Sequence, residues 1–179
     1  MDKKLKRLYN ILKKMGSVVV AYSGGVDSTF LLKAASIVLP RDKVLAVTAR
    51  SQTYPAREYK EAVKLAKVIG VRHRTIHTDE LNIKGFRNNP VNRCYFCKGE
   101  LFKTLKDIAQ QQGIKHVVDG ANKDDSKDFR PGGLAAKENG VRSPLKEAGL
   151  SKEDIRRISK KLGLATWNKP SFACLASRF

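Results

Sequence analysis

The chain has 179 residues, the length of one ordinary domain, enough to bury an apolar interior without disulfides or a structural metal. Apolar residues make up 41% and charged residues 30%, a globular balance, and no apolar run approaches the roughly 18–20 residues of a membrane span. Lys and Arg number 36 against 17 Asp and Glu, a net +19 that draws polyanions (nucleic acid, nucleotides, anionic metabolites) unless it only solvates helix faces.

The opening MDKKLKRLYNILKKMG lacks an apolar core and a small-residue cleavage site, so no signal peptide is expected and the cytoplasm is the expected compartment. In it Leu5, Leu8, Tyr9 and Leu12 repeat at helical spacing up to Gly16. Ser17 to Ala21 reads as a buried strand, and Phe30, Leu31, Leu32, Ala34, Ala35 and Val38 as an apolar helix stopped by Pro40. Val44 to Val47 is a second strand. Pro55 opens a helix carrying Tyr59, Ala62, Leu65, Ala66 and Ile69, closed by Gly70. Val71 to Ile76 is a third strand, Leu101, Leu105 and Ile108 mark a helix ending at Gly113, and Ile114 to Val118 is a fourth strand. Ser151 and Asp154 form a capping box for a last helix with Ile155, Ile158 and Leu162.

This alternation predicts an α/β fold: a doubly wound parallel sheet of about five strands with helices on both faces. Two long irregular stretches, Asp79 to Arg93 and Asp119 to Gly133, fall at the carboxyl edge of the strands, where ligands of open α/β sheets sit.

Ser23-Gly24-Gly25-Val26-Asp27-Ser28 follows the first strand and opens the next helix. Glycines let the backbone approach a ligand, and helix-start N–H groups together with the helix dipole favour an anion there. Ser23 and Ser28 add hydroxyls. Asp27 would repel phosphates, so its sensible role is to hold Mg²⁺. The Gly-Lys-Ser/Thr ending of a Walker A loop is absent, which excludes a P-loop that cleaves at the γ-phosphate.

Three cysteines are too few for a disulfide scaffold. Cys94 and Cys97 form a CxxC, and Cys174 is distant. Three thiolates suit three corners of a [4Fe–4S] cluster with one iron open. Zinc would want a fourth ligand, and a redox-active CxxC pair is a third reading. At a helix start, N–H groups would stabilise thiolate charge on the CxxC. His73, His77 and His116 read as structural.

SGGVDS resembles the motif of the ATP pyrophosphatase (PP-loop) superfamily, whose members cleave ATP between the α and β phosphates and adenylate their substrates. The wider chain resembles the LarE family of ATP-dependent sulfur transferases in nickel-pincer cofactor biosynthesis. The matching stretches are AYSGGVDSTFL, NRCYFCK, DGANKDDSKDFRPG, GVRSPLKEAGLSKEDIR and LGLATWNKPSFACLASR, in that order.

The resemblance implies an adenine nucleotide alpha hydrolase-like fold, with ATP and Mg²⁺ as cofactors. Thr48 and Ala49 would meet adenine through backbone groups, Gly120 would frame the pyrophosphate, and Arg178 would clamp a phosphate, although a surface arginine is nearly as good a reading. The substrate would be a pyridinium dicarboxylate mononucleotide whose carboxylates become thiocarboxylates. Cys174 would be the catalytic cysteine, either surrendering its own sulfur or joining Cys94 and Cys97 on a sulfur-carrying [4Fe–4S] cluster. Possession of all three thiols points to the cluster subgroup. Residues 1–179 read as a single PP-loop domain, and relative to the family a C-terminal segment that helps build a homo-oligomer is expected to be missing. The sulfur donor is open.

Two competitors stand beside this reading. A tRNA thiolation enzyme shares the phosphate loop and suits the +19 charge, but the sequence offers no separate RNA-binding module or cluster of aromatics for base stacking, so nucleic acid is the less favoured partner. A non-catalytic nucleotide-binding fragment is the other.

Overall fold

A computed structural model describes residues 1–85, 87–88, 91–126 and 131–171. Cys174 and Arg178 lie outside these. Within them the expected architecture is present: four parallel strands, β1 (Val18–Ala21), β2 (Val44–Arg50), β3 (Arg72–His77) and β4 (His116–Val118), in the order β3-β2-β1-β4. The sheet is narrower than the five or so strands expected. A fifth position beyond β4 is held by one parallel bridge, Val118 to Arg142, with Asp119 N–H donating to the Arg142 carbonyl at 3.0 Å. Pro144 starts a helix two residues later, too soon for a strand to develop.

Alternation along β1 divides the core. Val18 and Val20 face one layer with helices α1 (Lys3–Met15), α2 (Val26–Val38), α3 (Ala56–Ile69), α6 (Pro144–Glu147) and α7 (Lys152–Lys161). Val19 faces the other, with α4 (Arg93–Gln111) and α5 (Pro131–Glu138). Phe30 anchors the first layer and Phe102 the second, both buried. The helices therefore cover both faces of the sheet, as parallel strands require. Among the described residues no helix is long and apolar enough to cross a membrane.

The crossovers through α2 and α3 carry the chain outward to β3, and α4 then returns it to the far side of β1. The order reverses between β1 and β4, so a crevice opens at the carboxyl ends of those two strands. Both irregular stretches contain short 3-10 turns, Glu80–Asn82 and Lys123–Ser126, and the second stretch gives way to α5 at Pro131.

The capping box is present: Ser151 Oγ accepts from Asp154 N–H at 3.2 Å, and Ser151 N–H donates back to the Asp154 carboxylate at 3.1 Å. Asp154 also accepts from Lys4 at 2.6 Å, tying α7 to α1. The Lys4 ammonium, with help from Ser151 and Arg157, holds the Asp154 carboxyl well below its usual range. A depressed folded-state pKa contributes stability above the unfolded value of about 4 and loses it as pH falls further. Asp154→Asn should therefore cost about 1 kcal/mol at neutral pH. Urea titrations at a series of pH values should show that difference shrinking below about pH 4.

Candidate functional site

The crevice floor is the turn from β1 into α2. Tyr22 N–H donates to the Val47 carbonyl at 2.9 Å, Ser23 is exposed, and Gly25 caps α2. The first N–H groups of α2, from Val26, Asp27 and Ser28, have no intrahelical acceptor and face outward along the axis. Ser28 Oγ accepts from Ser23 N–H at 3.2 Å and lies 3.1 Å from Ser23 Oγ, so the two hydroxyls close the turn on itself. The six residues of the motif form one compact cradle.

The two glycines have different duties. Gly24 has φ +76°, and a Cβ there would fall 2.7 Å from the Ala62 Cβ. Gly25 has an ordinary φ of −74°, with room for a Cβ 3.4 Å from Ser23 Oγ. Only Gly24 is demanded by the fold of the turn. On the opposite wall, a Cβ on Gly120 would stand 3.0 Å from Ser28 N, so the β4 loop presses against the first turn of α2.

Asp27 is not a lone acid. Its Oδ2 accepts from Lys152 Nζ at 2.5 Å and its Oδ1 from Asn122 Nδ2 at 3.4 Å. Lys152 N–H donates to Asp124 Oδ2 at 2.8 Å, and Asp124 N–H donates to Asn122 Oδ1 at 2.8 Å. The four residues close a ring through α2, the β4 loop and the start of α7. Asp125 accepts from Asn122 N–H at 2.9 Å. Asp124 and Asp125 are thus parts of the wall. Asp119 accepts from Ser143 Oγ at 2.7 Å and from Ala121 N–H at 3.2 Å, shaping the loop beside Gly120. Lys152 and Asn122 lie inside stretches that match the LarE family, but no residue-level reading of the sequence gave either a role.

Thr48 is buried. Its hydroxyl donates to the Tyr22 carbonyl at 2.9 Å and pairs with His73 Nε2 at 2.8 Å. With the hydroxyl proton committed to Tyr22, His73 is the donor to Thr48; burial lowers its pKa and favours the neutral ring. This matches the structural reading of His73. Any ligand contact from Thr48 or Ala49 would come from the backbone, since β2 runs past Val47, its last β1 partner, to Arg50.

Cys94 and Cys97 lie on the first turns of α4, Cys94 exposed and Cys97 half-buried. Cys97 donates to Glu80 Oε1 at 3.2 Å, and Glu80 in turn accepts from Thr53 Oγ1. Burial first, and then Glu80, push the Cys97 thiol up to about 12. This runs against the expectation that the helix start stabilises a thiolate there. Cys97 is the fifth residue of α4, past the unpaired amides, so burial and then Glu80 raise the thiol without those amides to oppose them. Among the described residues no three His, Cys, Asp or Glu side chains gather as a metal site.

The pattern of the NAD synthase family matches residues 2–93, which include the whole cradle. The chain belongs to that family. Its PP-loop members are ATP-using enzymes. The chain is 40% identical over 168 residues to pyridinium-3,5-bisthiocarboxylic acid mononucleotide synthase of Lactiplantibacillus plantarum, covering 94% of this chain and 61% of that protein. This bears out the resemblance to the LarE family. It is also 45% identical over 179 residues to an uncharacterised protein of Synechocystis sp., covering all of this chain and 66% of that one. The chain therefore spans under two thirds of the length of both relatives. In fold it superposes on the NMN synthetase of Francisella tularensis with a TM-score of 0.75 at 19% identity, covering 94% of this chain and 74% of that one.

Gly24→Ala tests the cradle directly. An alanine held at positive φ costs about 1–2 kcal/mol, and relief of the Ala62 overlap must shift the turn. Chemical denaturation should show a loss of at least that size, whereas Gly25→Ala should unfold within about 0.5 kcal/mol of the parent.

Proposed function

We propose that this chain is the nucleotide-binding part of an ATP-dependent sulfur transferase acting on the carboxylates of a pyridinium dicarboxylate mononucleotide. The observation that carries it is the 40% identity to the bisthiocarboxylic acid mononucleotide synthase, running through a cradle built for an anion. In this reading residues 1–179 act as one PP-loop domain.

A carboxylate is a poor acceptor for sulfur because oxide is a poor leaving group. Attack of a carboxylate oxygen on the α-phosphorus of ATP breaks the bond to the bridging oxygen, releases pyrophosphate and leaves an acyl adenylate. A sulfide-level nucleophile then attacks the carbonyl carbon, the C–O bond to AMP breaks, and a thiocarboxylate remains. If the Cys174 thiolate is that nucleophile, the product is a thioester, and loss of the Cα proton with cleavage of the Cβ–S bond frees the thiocarboxylate and leaves dehydroalanine. In the first step charge builds on the departing pyrophosphate, where N–H groups of Gly25 to Ser28, the Ser23 hydroxyl and the Lys152 ammonium would meet it. Backbone groups of Thr48 and Ala49 would take the adenine, Gly120 would let the β4 loop close on the phosphates, and Arg178 would supply a further phosphate contact.

Asp27 fits Mg²⁺ as a single hard-oxygen ligand, the usual arrangement when substrate phosphates complete the shell. Mg²⁺ held there would neutralise charge on the pyrophosphate. Asp27 shares its carboxylate with Lys152, so the ammonium must hand over one oxygen and is left free to turn to a phosphate. For a [4Fe–4S] cluster, Cys94 and Cys97 lie three residues apart on the first turns of α4, which suits two corners, and Cys174 would be the third ligand. A cluster held by these thiolates would supply iron to which the transferred sulfur could bind. Cys97 must first lose its proton, and Glu80 is the adjacent acceptor.

Asp27→Asn should keep the fold and abolish Mg-dependent ATP–pyrophosphate exchange, measured with the mononucleotide substrate present. Unchanged exchange removes Asp27 from the mechanism. The +19 charge keeps tRNA thiolation as the alternative. Exchange that requires tRNA, with binding that survives physiological salt, would establish it, because non-specific phosphate contacts fade steeply with salt.

Replacing Cys94, Cys97 or Cys174 by Ala should each remove the iron and labile sulfide of anaerobically reconstituted protein while ATP binding survives. Protein that binds no iron, and whose Cys174 is recovered as dehydroalanine after turnover, would establish the sacrificial route.

A further inference from the structure

The cradle is fastened from outside as well as closed on itself. Tyr22 OH donates to the Ala62 carbonyl at 2.9 Å, Tyr54 OH donates to the Ser23 carbonyl at 2.5 Å, and Gly24 rests on Ala62. The remaining contact is ionic. Lys169 Nζ donates to the Gly24 carbonyl at 3.4 Å, and pairs with Glu58 at 2.6 Å and Glu61 at 3.2 Å. Its side chain is 13% exposed. An ammonium so enclosed is tolerated only with partners, and here two carboxylates and a carbonyl match its three protons. Glu61 registers the contact, since the Lys169 ammonium is the main cause holding its carboxyl below the usual range.

The backbone of Lys169 is fixed too. Its N–H donates to the Thr166 carbonyl at 3.0 Å, and its carbonyl accepts from Arg156 at 2.9 Å, while Arg156 also holds the Trp167 carbonyl at 2.9 Å. The ammonium thus has a set position relative to α3 and α7.

That position matters because of what it holds. The Gly24–Gly25 peptide is planar and trans, so its C=O and N–H point in opposite directions. Two adjacent glycines offer little steric resistance to rotation of the plane between them. A cation on the Gly24 carbonyl therefore decides where the Gly25 N–H points: away from Lys169, to the side where it meets Ser23 Oγ at 3.4 Å.

We propose that Lys169 is a positioning residue: braced by Glu58 and Glu61, it holds the Gly24 carbonyl and thereby keeps the Gly25 N–H aimed into the cradle. What enters the cradle rests on the function proposed above; the peptide orientation is a property of the free protein.

Two measurements test this. In ligand-free protein, Lys169→Met should shift and broaden the Gly25 and Val26 amide resonances as the peptide samples both orientations, with α1 and α4 resonances unmoved. Lys169→Arg should restore most of the parent spectrum. By calorimetry, Lys169→Met should weaken ATP binding about tenfold, the effect of one charge-assisted hydrogen bond. Removal of a positive charge alone would also weaken it, so the deciding variant is Glu58→Gln/Glu61→Gln. That change makes the site more positive, and simple attraction predicts tighter binding; loss of the brace predicts weaker binding.

Tighter or unchanged binding in the double variant overturns the proposal. So does an unaltered Gly25 resonance in Lys169→Met, a disturbance spread through the whole fold, or an arginine variant no better than methionine. If the parent protein binds no ATP, the proposed function fails, while the resonance comparison still decides the role of Lys169.

Discussion

A carboxylate in the first turn of a helix is favoured by the helix dipole and would be opposed by any phosphate held at the same N–H groups. Asp27 resolves this conflict through Lys152, 2.5 Å away. The pair is part-buried, so water screens it less than a surface pair, and neither charge stands alone in the crevice. Closure of the ring through Asp124 and Asn122 makes the charge state of the cradle depend on three elements far apart in the chain. The cradle is preorganised only when α7 and the β4 loop are in place. An isolated strand–turn–helix with the same six residues would have the amides without the compensating cation.

Topology explains why these pieces meet. The reversal of strand order between β1 and β4 leaves no crossover helix above that junction, so the loops leaving both strands share one crevice. Gly120 shows how tightly they share it, lying where any Cβ would press on the Ser28 amide. On the β2 side, Thr48 donates to the Tyr22 carbonyl and His73 supports Thr48, so the turn is braced by the sheet as well.

Most of the fold was legible because buried parallel strands and half-buried helices write different apolar periods. Val18 to Val20, Val44 to Val47 and the Leu5–Leu8–Leu12 stripe needed no further information. Helix α5 was not legible, since it begins Pro131-Gly132-Gly133, a start that reads as loop. The four-residue α6 is too short to show a period. In the site, the cradle was legible because its chemistry is local: strand, turn and helix start adjoin in sequence. Lys152, Asn122 and Lys169 were not, because a partner more than ninety residues away leaves no pattern around either residue. The Cys97 environment differs from the expectation for a related reason: spacing gives its place on the helix, whereas its burial and the approach of Glu80 are tertiary.

The basic surplus and the site prove to be largely separate matters. Among the described residues, Lys152 and Lys169 are the lysines bonded to motif residues, and each is committed to carboxylates: Lys152 to Asp27, Lys169 to Glu58 and Glu61. Local charge around the cradle is therefore close to balanced, and its pull on an anion comes from oriented amides and dipoles more than from net charge. Much of the excess stands elsewhere; Lys3, Lys6, Arg7, Lys13 and Lys14, for example, are exposed along α1, whose apolar stripe is buried on the core. Charges so spread raise a diffuse field that salt screens within about 8–10 Å. Amides fixed at a helix start act at contact distance and are screened far less. Under the proposed function, a cradle of this construction would select for the shape and placement of a phosphate group, which total charge cannot do.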